Sequence, residues 1–191
     1  MNTNRLHSEI IVLDNIDLGL GNLFDFLKEN TIWDNSITSR KTASYGRPYN
    51  YSNIRYHYTG FPYHICILAE KVKNIVGFSP NNCLLNYYFK NDSKMGFHSD
   101  QIEILEANTG IAIFSIGSSR IMRFKSKMDN NIIIDVQLNS NSFFYMTQKV
   151  QNDWLHSILP DKENINSERI SITFRKIKET IYSNNLGSTD L

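Results

Sequence analysis

Two stretches in the first 80 residues place apolar side chains at intervals of three and four, the spacing of an amphipathic helix. The first set is Leu20, Leu23, Phe24 and Leu27. The second set is Ile65, Leu68, Val72 and Ile75. We expect the first helix to fade by Glu29–Asn30, and the second to run from Pro62 to Val76 and end at Gly77. The first helix is predicted to pack on a sheet.

From Asn82 onward the helical spacing gives way to short apolar runs, and turn residues separate them, as between strands. The predicted strands are Cys83–Phe89, Ile111–Ile116, Ile121–Lys125, Ile132–Val136, Ser142–Met146, Trp154–Ile158 and Ser167–Lys178. A further short buried strand is predicted at Glu9–Asp14, and Trp33 is expected to return to the core. So many strands in about 100 residues favour a closed or two-sheet β core.

Length and charge limit the possible partners. A chain of 191 residues is long enough for one domain with a sizeable core. With 20 Lys+Arg against 19 Asp+Glu, the net charge is +1. Any contact with nucleic acid must therefore come from a local basic patch.

Cysteine spacing and hydropathy indicate a soluble intracellular protein. Cys66 and Cys83 lack the C-x-x-C spacing, so we expect free thiols in a reducing compartment. The polar start and the short apolar run Ile10–Leu13 do not make a secretory signal, and no run approaches the ~20 apolar residues of a membrane span. We predict a cytoplasmic monomer, or a nuclear one in a eukaryote, with no membrane partner.

Candidate metal ligands follow the strand of Cys83. His98 and Asp100 are two residues apart, and in extended backbone such side chains point to the same side. His156 supplies a third ligand, and two histidines with one carboxylate form the facial triad of non-haem Fe(II) oxygenases. The H-x-D pair alone is weak, because it also occurs by chance on solvated turns.

The last predicted strand carries two arginines in phase. One face of this strand presents Arg169, Ser171, Thr173 and Arg175. A pair of arginines beside a metal would suit a dicarboxylic acid. The alternative is ordinary surface pairing with Glu168 and Glu179.

Taken in order, four motifs resemble the AlkB-like 2-oxoglutarate- and Fe(II)-dependent dioxygenases. They are Asn86-x-Tyr88, His98-x-Asp100, Trp154-x-His156-Ser157 and Arg169 to Arg175. The resemblance covers roughly Arg40 to Lys176, and S-I-T-F-R is its most specific element.

The resemblance implies a mostly β fold with flanking helices around a double-stranded β-helix, or jelly-roll, core. A single domain would span residues 1–178, with helices and a substrate lid in 1–80 and the core in 81–178; we expect residues 179–191 to be a disordered tail.

The resemblance also implies a cofactor site. Fe(II) would be held by His98, Asp100 and His156, and O2 and 2-oxoglutarate would be cosubstrates. Arg169 would bind the far carboxylate of 2-oxoglutarate with help from Tyr88 and Asn86. Arg175 would lie toward the chelating end, with Ser171 and Thr173 on the same face. The family often has asparagine in place of Ser171.

Residues for the substrate are implied in a tyrosine-rich stretch. In the family the segment from Arg40 to Gly46 and the aromatic run after it form a lid over the substrate base. Tyr58 and Tyr45 would stack on a nucleobase, and Arg40 would reach phosphate, as would Lys41, Arg47 and Arg55. Alternatively, this loop merely packs on the sheet. A second basic set, Arg120, Arg123, Lys125 and Lys127, would track phosphates or form a solvated hairpin.

One departure from the family follows the triad aspartate. Nucleic-acid repair members commonly carry an acidic residue at the place of Ile102, directed at the exocyclic amine of the alkylated base. Here that position is apolar, which leaves the identity of the base open. Glu103 is adjacent, but in extended backbone a shift of one residue turns it to the opposite face.

The implied activity is oxidative demethylation of N-alkylated bases in DNA or RNA, acting on a single-stranded or flipped base and releasing formaldehyde. An alternative keeps the chemistry but acts on a protein or small molecule. A jelly-roll binding module without catalysis would not need the intact triad, and a zinc hydrolase would not need the two arginines.

Overall fold

The computed structural model describes residues 6–49, 55–165 and 167–179. Ten strands and three helices lie within these ranges. In chain order they are β1 (Ile10–Leu13), α1 (Leu23–Asn30), β2 (Lys41–Gly46), α2 (Tyr63–Val76), β3 (Asn82–Tyr88), β4 (Met95–His98), β5 (Gly110–Gly117), β6 (Arg120–Ser126), β7 (Ile133–Leu138), β8 (Ser142–Thr147), α3 (Gln148–Asp153), β9 (Trp154–Ile158) and β10 (Arg169–Arg175).

The strands form two antiparallel sheets. One has six strands in the order β1-β8-β5-β10-β3-β2, and the other has four in the order β4-β9-β6-β7. Leu84 and Ile113 of the larger sheet pack in one buried cluster with Met122 and Ile158 of the smaller sheet, so the two sheets face each other. This arrangement confirms the predicted mostly β, double-stranded β-helix fold.

Alternation along the central strands builds two cores. On β3, Cys83 and Leu85 belong to the cluster on the helix side of the large sheet, whereas Leu84 and Tyr88 face the smaller sheet. Because both faces are covered, every residue of β3 and of β10 is buried. The residues of β3 that alternate in phase with Leu84 and Tyr88 lie between the two sheets.

The two predicted N-terminal helices cover the outer face of the large sheet. Leu23 and Leu27 of α1 and Leu68 of α2 are buried in the helix-side cluster. Gly77 ends α2 with a left-handed φ of 81°, and its N–H bonds to the Lys73 carbonyl at 2.9 Å. Trp33 packs against the same cluster, as predicted.

Three elements differ from prediction. β1 is an edge strand paired only with β8 among the described strands, and Ile11, Val12 and Leu13 are 37–39% exposed instead of buried. β4 and α3 were not predicted, because M-G-F-H has no clear alternation and Q-K-V-Q-N-D has no apolar face. Most of the expected tail, from residue 180 on, lies outside the described residues. The boundaries of the single domain stay a prediction.

Cys66 is exposed, Cys83 is buried, and both are free. Within the described ranges, no helix combines the length and the hydropathy needed to cross a membrane.

Candidate active site

The three predicted metal ligands meet between the sheets. His98 at the end of β4 lies opposite His156 of β9, and their ring centroids are 4.2 Å apart. Asp100 completes the group, with Oδ2 lying 3.6 Å from Nε2 of His156. One ligand atom from each residue lies within 4.8 Å of the others. Two nitrogens and one carboxylate oxygen at this separation fit an Fe(II) facial triad.

Asp100 is positioned by side-chain contacts rather than by a strand, because β4 ends at His98. The Tyr49 hydroxyl donates to Oδ1 of Asp100 at 3.1 Å and accepts the Gln101 N–H at 3.1 Å. Oε1 of Gln151 accepts the Asp100 N–H at 2.9 Å. Sequence reasoning missed Tyr49 and Gln151, since no periodicity marks either residue.

Two of the three ligands, Asp100 and His156, hold the protonation states that a metal requires. Burial alone would raise the pKa of Asp100, but the charges of Arg175, His156 and His98 outweigh it and hold that pKa at about 2. Burial lowers the pKa of His156 to about 3, against the opposing effect of Asp100. At neutral pH the aspartate is ionised and this imidazole is neutral, so no proton competes with a metal ion.

The His98 ring is oriented by its own strand. Nδ1 lies 2.9 Å from the Gly96 carbonyl, which places the ring proton on Nδ1. Nε2 then serves as the ligand atom, the usual division of roles in a metal-bound histidine.

The two arginines of β10 are buried beside this group. Nη2 of Arg169 donates to Oγ of Ser115 at 2.8 Å, and Nη2 of Arg175 donates to Oδ1 of Asp100 at 2.6 Å. In each guanidinium, Nε and Nη1 are buried and have no hydrogen-bond partner among the described residues. Buried donors without partners are costly, so this arrangement suits an anionic ligand.

Surface pairing of these arginines is excluded by the same geometry. Glu168 pairs with Lys28 at 2.5 Å, and Glu179 pairs with Arg47 at 3.5 Å. Burial lowers the pKa of Arg169 to about 10, which leaves its guanidinium charged at neutral pH.

One cavity brings together the triad and all six residues assigned to the cosubstrate. The latter are Asn86, Tyr88, Arg169, Ser171, Thr173 and Arg175. Arg169 lies opposite Tyr88, and Ser171 lies opposite Asn86, in the β10–β3 ladder. The four β10 residues therefore lie on one face of the strand, toward the cavity.

Arg40 also lines this cavity. It does not lie on a surface where it would contact a phosphate group. Its side chain is 5% exposed, and Nε donates to Oδ1 of Asn86 at 2.9 Å. Arg40 therefore helps to orient Asn86.

The two tyrosines assigned to base stacking lie elsewhere. Tyr45 pairs with Cys83 and packs with the helix-side cluster, so it is on the opposite face of the sheet from the cavity. Arg40 directly precedes β2 and lies an odd number of positions from Tyr45, so continuous extended backbone would not direct both side chains inward. Tyr58 is 70% exposed and does not line the triad cavity.

The residues after Asp100 form a turn, in which the Leu105 N–H bonds to the Ile102 carbonyl at 3.0 Å. Ile102 packs against the inter-sheet cluster, and Glu103 is exposed. Because this backbone is not extended, the argument that places Glu103 on the opposite face does not apply. Neither side chain lines the cavity.

The predicted basic hairpin is not a row of free charges. Arg120 is buried against Asp161, and Arg123 pairs with Asp135 at 2.7 Å. Lys125 lies over the Phe97 ring at 5.7 Å. Lys127 donates to a backbone carbonyl at 2.6 Å. The set therefore does not form a track for phosphates.

A double-stranded β-helix that encloses two histidines, one carboxylate and buried arginines defines a non-haem Fe(II) oxygenase scaffold. The family model of the 2OG-Fe(II) oxygenase superfamily matches residues 28–175, and the chain belongs to this superfamily. Its similarity to several alkB homologues identifies it as AlkB-like.

The chain is 28% identical over 148 residues to alpha-ketoglutarate-dependent dioxygenase alkB homolog 3 of Bos taurus, covering 72% of this chain and 51% of that protein. It is 28% identical over 120 residues to DNA oxidative demethylase ALKBH2 of Bos taurus, covering 59% and 43%. It is 30% identical over 119 residues to uncharacterized protein R406 of Acanthamoeba polyphaga mimivirus, covering 62% and 61%. The chain thus spans about half the length of these relatives.

Among solved structures, OsALKBH1 matches with a TM-score of 0.56 and 17% identity, covering 72% of this chain and 78% of that one. At this identity the similarity supports the fold alone.

Proposed function

We propose that this protein is an oxidative demethylase of N-alkylated bases in DNA or RNA, dependent on Fe(II), 2-oxoglutarate and O2. The observation that carries the proposal is one cavity in which a triad with two buried members, Asp100 and His156, lies beside two arginines whose Nε and Nη1 have no partner among the described residues. A hydrolytic metal site would have no use for these arginines.

In this proposal the residues divide into two groups. His98, Asp100 and His156 would hold Fe(II) through two neutral nitrogens and one anionic oxygen. Arg169 binds the far carboxylate of 2-oxoglutarate through Nε and Nη1, the donors that no described residue engages. Tyr88, whose ring lies 5.3 Å from the Arg169 Cζ, closes the same end of the cavity.

When bound, Fe(II) and its cosubstrates supply the oxidation: 2-oxoglutarate and O2 become succinate and CO2 while the methyl group on nitrogen gains one oxygen atom. The hydroxymethyl product then breaks its C–N bond to release formaldehyde and the unmodified base. The protein binds, orients and excludes water, and the cofactor supplies the chemistry. The charge of Arg175 helps to keep Asp100 ionised, and the bonds from Arg175 and Tyr49 to Oδ1 fix the direction of the carboxylate.

A nucleic-acid substrate is supported by the relatives, one of which is named as a DNA oxidative demethylase. A base inside a duplex cannot reach a cavity between two sheets, so the substrate base must be single-stranded or flipped.

The proposal is tested by incubation with Fe(II), 2-oxoglutarate and methylated oligonucleotides, with mass spectrometry of the products. We expect loss of one methyl group for each succinate formed, and His156→Ala as the inactive control. Succinate formation without demethylation of any oligonucleotide would reject the nucleic-acid substrate while retaining the dioxygenase.

A further inference from the structure

The segment that carries two of the metal ligands is attached at three successive residues to the stretch that carries the third. His98 pairs with His156 across the β4–β9 ladder. Ser99 Oγ donates to the Trp154 carbonyl at 3.3 Å. The Asp100 N–H donates to Oε1 of Gln151 at 2.9 Å. The last two contacts each use a side chain, so they depend on residue identity; in the Gln151 contact that side chain belongs to the stretch leading into His156.

Gln151 is held firmly enough to act as a fixed support. Its side chain is 3% exposed, and Nε2 lies 3.1 Å from Sδ of Met146. Its backbone carbonyl accepts a bond from Nζ of Lys127 at 2.6 Å. The oxygen of the side-chain amide therefore bonds to Asp100, and the amide nitrogen lies against Met146. The bond from Lys127 holds the backbone of the same residue.

Asp100 needs such a support because it lies beyond the end of β4 and its N–H makes no ladder bond with that strand's partner. Arg175 and Tyr49 both bond to Oδ1, so they fix the carboxylate from one side. Gln151 fixes the backbone from the other. A ligand whose supports are lost moves away from productive geometry, and loss of such outer contacts weakens metal binding.

We propose that Gln151 is a positioning residue that ties the backbone of Asp100 to the helix leading into His156, so that the carboxylate and imidazole ligands move as one unit. The inference rests on the proposed metal site, and it assigns to α3 a role in setting metal affinity.

The test is titration of the metal-free protein with Co²⁺, followed by visible absorption, which reports both affinity and ligand geometry. We expect Gln151→Leu, which keeps the volume but removes the acceptor, to weaken Co²⁺ binding by about 10- to 100-fold and to alter the spectrum. Gln151→Glu retains an acceptor oxygen at this place, and its affinity should lie closer to the wild type. Met146→Leu is the matched control, because it removes the other amide contact without touching Asp100.

Thermal unfolding of each metal-free variant separates positioning from folding. If Gln151→Leu does not fold, Gln151→Asn, which draws the acceptor back by one methylene, should show the weakened binding. Equal Co²⁺ affinity and spectra in the wild type and in a folded Gln151→Leu or Gln151→Asn variant would overturn the inference but leave the metal site intact. Absence of Co²⁺ binding by the wild type would instead overturn the metal site and the inference with it.

Discussion

Arg175 donates to Oδ1 of Asp100 at 2.6 Å with both side chains buried, and this pair distinguishes the two arginines of β10. Arg169, six residues earlier on the same face, has no carboxylate partner among the described residues and bonds to the neutral hydroxyls of Ser115 and Tyr88. Arg175 thus has a counter-charge within the protein, whereas Arg169 has only neutral hydrogen-bond partners among the described residues. Their removal should have opposite consequences.

Arg175→Met should destabilise the metal-free protein by about 3–5 kcal/mol, because it leaves the buried Asp100 carboxylate without its main counter-charge. Urea unfolding monitored by circular dichroism measures the change. Protonation of Asp100 limits the loss, so the destabilisation should be largest at neutral pH and smaller in acid. An unchanged urea midpoint at neutral pH would show that the pair contributes no net stability.

Arg169→Met should leave the metal-free protein equally stable or more stable, because a buried cation with unpartnered donors is replaced by a well-packed apolar chain. The same variant should lose about 3–5 kcal/mol of 2-oxoglutarate affinity. Ser171→Ala, the matched control on the same strand face, should lose about 1 kcal/mol. Titration with 2-oxoglutarate in the presence of a redox-silent metal measures the affinity of each variant. Equal affinities for the wild type and Arg169→Met would remove Arg169 from the cosubstrate site.

His98→Ala, Asp100→Asn and His156→Ala should each abolish succinate formation while retaining the far-ultraviolet circular dichroism of the wild type. Each change removes one ligand from the group, and Asp100→Asn retains an acceptor for Arg175 and Tyr49. Succinate release is measured with saturating Fe(II) and 2-oxoglutarate. Turnover at the wild-type rate in any one variant would exclude that residue from the triad.

The residues that sequence reasoning placed correctly are those whose position follows from strand parity or from a motif. On β10 the alternation is sufficient, because both faces of the strand are buried and a shift of one residue would put the arginines into the helix-side core. Tyr49 and Gln151 reach Asp100 from a loop and from a six-residue helix. No periodicity in the chain encodes such tertiary contacts.

Two of the predicted substrate residues, Tyr45 and Tyr58, lie outside the cavity, and local sequence could not have shown this. Tyr45 and Arg40 belong to one segment, yet parity directs them to opposite faces of the sheet. Tyrosine content indicates an aromatic segment, but it does not determine which rings face the cavity. The direction of an exposed side chain such as Tyr58 is set by loop geometry, which local sequence determines weakly.

The last prediction concerns the choice of base. Among the described residues that line the cavity, Asp100 is the one carboxylate, and it is engaged by Arg175 and Tyr49. A free carboxylate would favour a cationic base such as 3-methylcytosine or 1-methyladenine by about 1.5–3 kcal/mol through a charge-assisted hydrogen bond, roughly 10- to 150-fold in rate. Ile102 provides no carboxylate, so the kcat/KM values for cationic and for neutral methylated bases should differ little.

Relative kcat/KM values on a panel of singly methylated oligonucleotides should therefore fall within about tenfold of one another, less than one charge-assisted hydrogen bond would supply. Glu103→Gln is the informative partner experiment, because Glu103 is exposed on the turn after the triad and is the nearest spare carboxylate in sequence. In a weakly selective enzyme this change should leave the ratios unaltered. Sharp preference for the cationic bases in the wild type, lost in Glu103→Gln, would show that the turn rearranges on substrate binding and brings this carboxylate to the exocyclic amine.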